Sequence, residues 1–345
     1  MTRFSFFKER EVSVGLILLA ILLFAFAPFF ASSYLLTIMI TALHFVYLAQ
    51  SWNLVFGYAG QLALGNGVFY GIAAYFSTKL YVNAGVTPYL GGLIGATAGA
   101  LVAIPLGVIL FRTKLKGLYL ALVTFASMEI FKAFFNNWKF VGGSVGILLP
   151  LANAPLQFMF VSRLPYYFIA LFMVLGMILL SVLLERSKLG HRSIAVRENE
   201  DAAEASGINC FRIKVSLFVV SALFVGLAGT FYAQFMLYIV PEIMFGFPNV
   251  VLLPMLGVIV GGRGTVFGPI LGTMVFSILG ELLRRVPFLQ GPEVSSTTMM
   301  LYGAVLTVVS LKYYGGLMGF VAYVRNRYRK RELDASPWSK NVSQG

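Results

Sequence analysis

Charged side chains are missing from one long stretch after another along this 345-residue chain. No Asp, Glu, Lys or Arg occurs from Val12 to Thr78, and further uncharged runs cover Leu80–Phe111, Phe140–Ser162, Leu164–Leu184, Val215–Pro241, Ile243–Gly262, Gly264–Gly280 and Val294–Leu311. A helix needs about 20 apolar residues to cross the hydrocarbon core of a bilayer. The longer runs must therefore each hold more than one crossing, or a turn. The pattern predicts spans at 12–30, 35–54, 62–82, 89–111, 117–135, 165–184, 215–238, 248–260, 265–283 and 296–312. Two of these are irregular: 248–260 is short for a span, and glycines break the stretch 54–67. Non-helical backbone at membrane depth survives only where protein or a water-filled cavity covers its polar groups.

The positive charges then orient the spans. They cluster at Arg3/Lys8/Arg10, at Arg112/Lys114/Lys116, from Arg186 to Lys214 and from Arg325 to Arg331. Lys and Arg are retained on the cytoplasmic side of membrane proteins. Four, two and four predicted spans separate the four clusters, so all four fall on one side. The predicted fold is an all-α polytopic membrane protein of about ten transmembrane helices, with broken or re-entrant glycine-rich segments and both termini cytoplasmic. Residues 136–163 then lie outside, 185–214 form an internal cytoplasmic segment, and 325–345 make a basic cytoplasmic tail. Lys79, near the outer end of its span, can snorkel to the headgroups.

Composition supports this picture. Charged residues make up 11% of the chain and hydrophobic ones 59%, against about 25% charged in a soluble domain. The net charge of +13 would suit a nucleic-acid binder, but its placement between apolar runs follows membrane topology instead, and no nucleic-acid partner is expected. A single cysteine, Cys210, excludes an internal disulfide, and with only two histidines no metal site is predicted. Arg3, Lys8 and Arg10 precede an apolar stretch, Val12–Phe30, that exceeds the 7–15 residues of a signal-peptide core, so it reads as an uncleaved first span. No nucleophile, carboxylate pair or metal cluster marks an enzyme.

Candidate functional residues are few. In 185–214, Asn199 is a good helix N-cap, Glu200 and Asp201 oppose the macrodipole in the first turn, Ala202, Ala203 and Ala205 favour helix, and Gly207 supplies a left-handed stop. These predict a helix of about two turns whose alanine-rich surface fits a partner's groove. Gly57, Gly60, Gly65 and Gly67 crowd around Gln61, as in a helix broken at a substrate path or in tight helix packing. Glu129 lies within a span, 12 residues beyond Gly117, and Lys132 is placed to pair with it on one helix face. That carboxylate is either half of an outer-interface ion pair or a substrate contact. His44, in an aromatic span, reads as a hydrogen-bonded structural histidine rather than a proton relay. Gly261-Gly-Arg-Gly lacks the Walker pattern and reads as a turn with Arg263 at the cytoplasmic surface.

Several of these segments resemble one family. The run Ala195-Val-Arg-Glu-Asn-Glu-Asp-Ala-Ala-Glu-Ala-Ser-Gly-Ile-Asn209 contains Asp-Ala-Ala-x-x-x-Gly at 201–207, the coupling motif of ABC importer permeases, and is closely similar to the branched-chain amino acid permease family. Asn53-Leu-Val-Phe-Gly-Tyr-Ala-Gly-Gln61, the Lys116–Ala126 run followed by Glu129, Val141-Gly-Gly-Ser-Val-Gly-Ile147 and Gly261–Gly272 resemble further family segments. The family usually has Asp after Gly-Gly-Ser, where this chain has Val145.

The resemblance implies a permease domain over 1–324 whose segment Arg197, Glu198, Asn199, Glu200, Asp201, Ala202, Ala203 and Gly207 docks on an ATPase. It makes Asn53, Gly57, Gly60, Gln61, Glu129, Gly143 and Ser144 substrate-path candidates. It implies as partners a second homologous permease subunit, two cytoplasmic ATPase subunits and an extracytoplasmic solute-binding protein. This chain would hold no cofactor of its own, ATP being bound by the partner subunits. Expected cargo is leucine, isoleucine and valine, with urea, amides or other amino acids as related possibilities. An autonomous secondary transporter or channel is the alternative. It would usually carry more intramembrane carboxylates or histidines for ion coupling.

Overall fold

A computed structural model describes residues 26–149 and 155–284, together with 297, 300, 301, 303, 304, 307 and 316–319. Most of the predicted spans 12–30 and 296–312, the clusters Arg3/Lys8/Arg10 and Arg325–Arg331, and the tail 325–345 lie outside the described residues. The other eight predicted spans each fall on a helix: α1 (Ser33–Asn53), α2 (Asn66–Ala84), α3 (Pro88–Arg112), α4 (Gly117–Asn137), α5 (Leu164–Arg186), α8 (Cys210–Met236), α9 (Pro241–Gly261) and α10 (Gly268–Arg284). Between α5 and α8 lie the two short helices α6 (Lys188–Glu198) and α7 (Glu200–Ala205).

Local chemistry explains several boundaries. Ser32 caps α1 by accepting from the Leu35 N–H, and Asn209 caps α8 by accepting from Arg212, so that helix starts at Cys210 and not at the predicted 215. The short span predicted at 248–260 is lengthened to 21 residues by a first turn at Pro241–Met244 and a π-helical stretch at Phe247–Leu252. A second π-helical turn, Leu54–Tyr58, ends α1. The chain then stays non-helical to Gly65, and its polar backbone is covered by protein. Trp52 Nε1 donates to the Ala63 carbonyl at 2.7 Å, and Thr124 Oγ1 accepts from the Leu64 N–H at 2.8 Å.

Helix α2 is the axis of the bundle, walled in by α3 and α8. Small residues set the close approach, as expected where van der Waals packing replaces the hydrophobic effect between spans. A Cβ on Gly226 of α8 would sit 2.9 Å from the Ala96 Cα of α3, and one on Gly95 would sit 3.1 Å from the Ala73 Cα of α2. Gly229 lies directly on the Tyr70 backbone. The outside of the bundle is apolar: Leu93, Leu101, Leu118, Phe172, Leu179 and Ile278 are exposed. Such a surface suits lipid rather than water.

Among the described residues, six helices are long and apolar enough to span a membrane: Ser33–Tyr58, Pro88–Arg112, Gly117–Asn137, Leu164–Arg186, Cys210–Met236 and Pro241–Gly261. The protein is a multi-pass, predominantly helical membrane protein. The bundle has a basic end, carrying Arg112, Lys116, Arg186 and α6–α7, and a far end. At the far end strand β1 (Ile147–Leu148) pairs antiparallel with β2 (Tyr238–Ile239), Ile147 opposite Ile239. Lys79 Nζ lies 4.8 Å from the Phe140 ring there, which gives the snorkelling charge a cation–π partner.

Candidate functional site

The helix predicted after Asn199 exists, with the predicted cap. Asn199 Oδ1 accepts from the Ala202 N–H at 3.0 Å, Glu200 and Asp201 occupy the first turn of α7, and Gly207 follows with φ +80°. The sequence did not announce α6, which packs ahead of it and is capped by Ser187 accepting from Gly190 at 3.0 Å.

One expectation is corrected. Ala203 does not belong to an outward alanine surface: it is 4% exposed and packs into the hydrophobic core of this chain. Asp201, Ala202, Glu204 and Ala205 make the outer face instead. The reason is the fastening of α7 from beneath. The Glu200 carboxylate pairs with Lys214 of α8, whose side chain is only 3% exposed, and lies 3.6 Å from Lys116 in the loop before α4. Glu204 adds a looser pair with Lys114 at 3.9 Å. The face of α7 that carries Glu200 and Ala203 is thereby turned to the bundle.

The glycine-broken stretch lies at the same end. Asn53 Nδ2 donates to the Thr265 carbonyl at 3.0 Å and its Oδ1 accepts from the Gly264 N–H at 2.9 Å. Gln50 Nε2 donates to the Val266 carbonyl at 2.6 Å. Gly57 offers its carbonyl to Arg197 Nη1 at 2.7 Å, and Gly60 lies against the same arginine. Gln61, 8% exposed, donates to the Ala59 carbonyl at 3.0 Å. Tyr58 donates to Glu185 Oε1 at 3.0 Å. Arg263, predicted at the surface, is exposed with its guanidinium 6.0 Å from the Phe56 ring. The residues reasoning from sequence missed here are Gln50, Glu185, Lys116 and Lys214. Their partners stand from 14 to 216 positions away, beyond the reach of any local pattern.

The remaining path candidates sit at the far end. Glu129 and Lys132 form the predicted pair at 2.7 Å, and Lys132 is also 3.7 Å from Glu242 at the start of α9. Asn136 Nδ2 donates to Glu242 Oε1 at 3.3 Å. Gly143 packs close to the Asn136 carbonyl, while Ser144 and Val145 are exposed. The structure thus divides the path candidates into two groups: Asn53, Gly57, Gly60 and Gln61 beside α6, and Glu129, about 18 Å along α4 from Gly117, with Gly143 and Ser144 in the segment after α4. Between them His44 Nε2 meets the Tyr70 hydroxyl at 3.1 Å, inside a cage with Phe231 and Tyr232.

A family model described as the branched-chain amino acid transport system permease component matches residues 34–310. The chain belongs to that family. It is similar to the high-affinity branched-chain amino acid transport system permease protein LivM of Escherichia coli K12, with 30% identity over 336 residues, 89% of this chain and 75% of that protein. LivM of Salmonella typhimurium is 29% identical over the same extent. A shorter stretch of 118 residues is 30% identical to the ribose import permease protein RbsC of Bacillus subtilis, covering 33% of this chain and 37% of that one. No solved structure matches the chain significantly. Family membership covers α1 to α10, and therefore both ends of the bundle described above.

Proposed function

We propose that this chain is a membrane-spanning subunit of an ATP-driven ABC importer that carries leucine, isoleucine and valine across a bacterial inner membrane. A second homologous permease completes the path, two cytoplasmic ATPase subunits drive it, and an extracytoplasmic solute-binding protein delivers cargo. ATP binds the ATPase subunits, and this chain holds no cofactor. The permease domain spans 1–324 with about ten crossings, both termini are cytoplasmic, and 325–345 form a cytoplasmic tail.

The observation that carries this reading is the construction of 188–207. A six-residue helix is capped by Asn199, stopped by Gly207, fastened beneath by Glu200 to Lys214, and left with Asp201, Ala202, Glu204 and Ala205 in solvent. A surface loop with no partner would need neither the fastening nor the two exposed alanines. Membership of the permease family supports the cargo class. A zwitterion crossing a path with so few charges would be held by helix ends and backbone groups.

The test uses the outer face. Ala202→Arg and Ala205→Arg introduce a bulky charge where no atom of this chain is crowded. Both variants are expected to keep normal membrane abundance while losing ATPase co-purification and amino-acid uptake. Ala203→Arg is expected to lower abundance by itself, because its charge would be buried within the chain. Full uptake by Ala202→Arg with no ATPase in a pull-down would overturn the reading in favour of an autonomous transporter or channel.

A further inference from the structure

Helix α6 packs Val196 into the hydrophobic core and reaches the glycine-broken end of α1 through Arg197. Arg197 Nη1 donates to the Gly57 carbonyl at 2.7 Å, while its Nε and Nη2 hold Glu198 Oε1 at 3.0 and 2.7 Å. Three bonds in one plane fix the guanidinium, an arrangement a lysine cannot copy. Gly57 belongs to the π-helical turn that ends α1, where the last carbonyls lack helical partners and the dipole favours a cation. π-turns of this kind recur at functional sites. The approach is close because Gly60, at φ +70°, carries no side chain: a Cβ there would lie 2.8 Å from Arg197 Cγ.

The carbonyl that Arg197 holds is tied to much more than α1. Asn53, one helical turn earlier, exchanges two hydrogen bonds with Gly264 and Thr265, and Gln50 bonds Val266. Residues 262–267 join α9 to α10. The end of α1, the α9–α10 turn and α6 therefore meet at one junction, and Arg197 is the member contributed by α6.

We propose that Arg197 is the positioning residue through which displacement of the α6–α7 segment is passed to α1, α9 and α10, so that ATPase movement becomes movement of the transport path. This rests on the coupled-importer reading above. It separates two roles that the motif merges: Asp201, Ala202, Glu204 and Ala205 face the partner, whereas Arg197 faces inward and transmits.

The experiment reconstitutes the wild-type, Arg197→Gln and Arg197→Lys complexes in liposomes and measures both ATP hydrolysed and leucine taken up. Energetic couplings between sites commonly amount to roughly 5–150-fold. The expected result is a fall of about tenfold in leucine moved per ATP for Arg197→Gln, with ATPase still bound, and an intermediate fall for Arg197→Lys, which keeps the charge at the carbonyl without the fork. An unchanged ratio in Arg197→Gln overturns the proposal. So does failure of both variants to assemble, which assigns Arg197 to assembly alone. A wild-type chain that binds no ATPase sinks the importer reading itself, and that result is distinct from either outcome for the variants.

Discussion

Replacing Glu200 with glutamine is the sharpest probe of how α7 is held. The carboxylate is 17% exposed, its partner Lys214 is 3% exposed, and its other neighbour Lys116 is 57% exposed. Removing one member of a buried pair costs about 3–5 kcal/mol, mainly because the remaining charge is stranded. The lower end applies here, since Gln keeps an acceptor oxygen, so about 3 kcal/mol of local stability is lost. At 1.4 kcal/mol per decade that is roughly a 150-fold rise in local opening. Hydrogen exchange in nanodiscs reads it directly at the amides of Ala203, Ser206 and Ile208, which donate to the Asn199, Ala202 and Ala203 carbonyls. The double variant Glu200→Gln/Lys214→Met removes the stranded ammonium and is expected to regain most of the protection, a coupling that two independent sites would not show. Protection in Glu200→Gln within about threefold of wild type would refute the argument that this pair fastens the segment.

Three further outcomes follow from other parts of the fold. In a Cys210→Ser background, cysteines at the exposed His191 and Leu156 should label from opposite sides of the membrane; labelling from one side would break the proposed topology. Gly207 has φ +80° and nothing within 4 Å of a Cβ position, so only its backbone matters: Gly207→Asn should be near wild type in thermal stability, and Gly207→Val should lose about 1–2 kcal/mol. Glu129→Gln should leave chain abundance unchanged and lower uptake, because it removes the intramembrane charge while Lys132 keeps Glu242 beside it; normal transport kinetics would give the Glu129–Lys132 pair a structural role only.

What could be read in the sequence followed from local chemistry. The uncharged runs located α1 to α3, α5 and α8 to α10 because a span is a property of consecutive residues. The Asn199 cap and the Gly207 stop were legible for the same reason, since both act on backbone groups within a few positions. The orientation of α7 was not legible. Ala202, Ala203 and Ala205 are chemically alike, and only Lys214 and Lys116, brought close by folding, decide which of them turns inward. The part played by Asn53 was hidden similarly: glycine crowding marked the break in the helix, but the partners of that side chain lie 211 and 212 positions later. The π-helical starts and ends of α9 and α1 leave no pattern distinct from ordinary helix, which is why the short span at 248–260 looked too short.

The central helix α2 has a consequence for synthesis. Asn66–Ala84 carries Asn66, Ser77, Thr78, Lys79 and Asn83, and it is not among the helices apolar enough to cross a membrane by composition. Partitioned alone from the translocon, such a segment would meet lipid with its hydroxyls and amides bare. It is retained because α3, which follows after three residues, and α8, made more than a hundred residues later, wrap it with glycine-rich faces. Until α8 emerges one flank is open, and the nascent chain depends on a helix not yet made. Substitutions at Gly226 or Gly229 would then act first on quality control, marking the newborn protein for degradation before any cargo is offered to it.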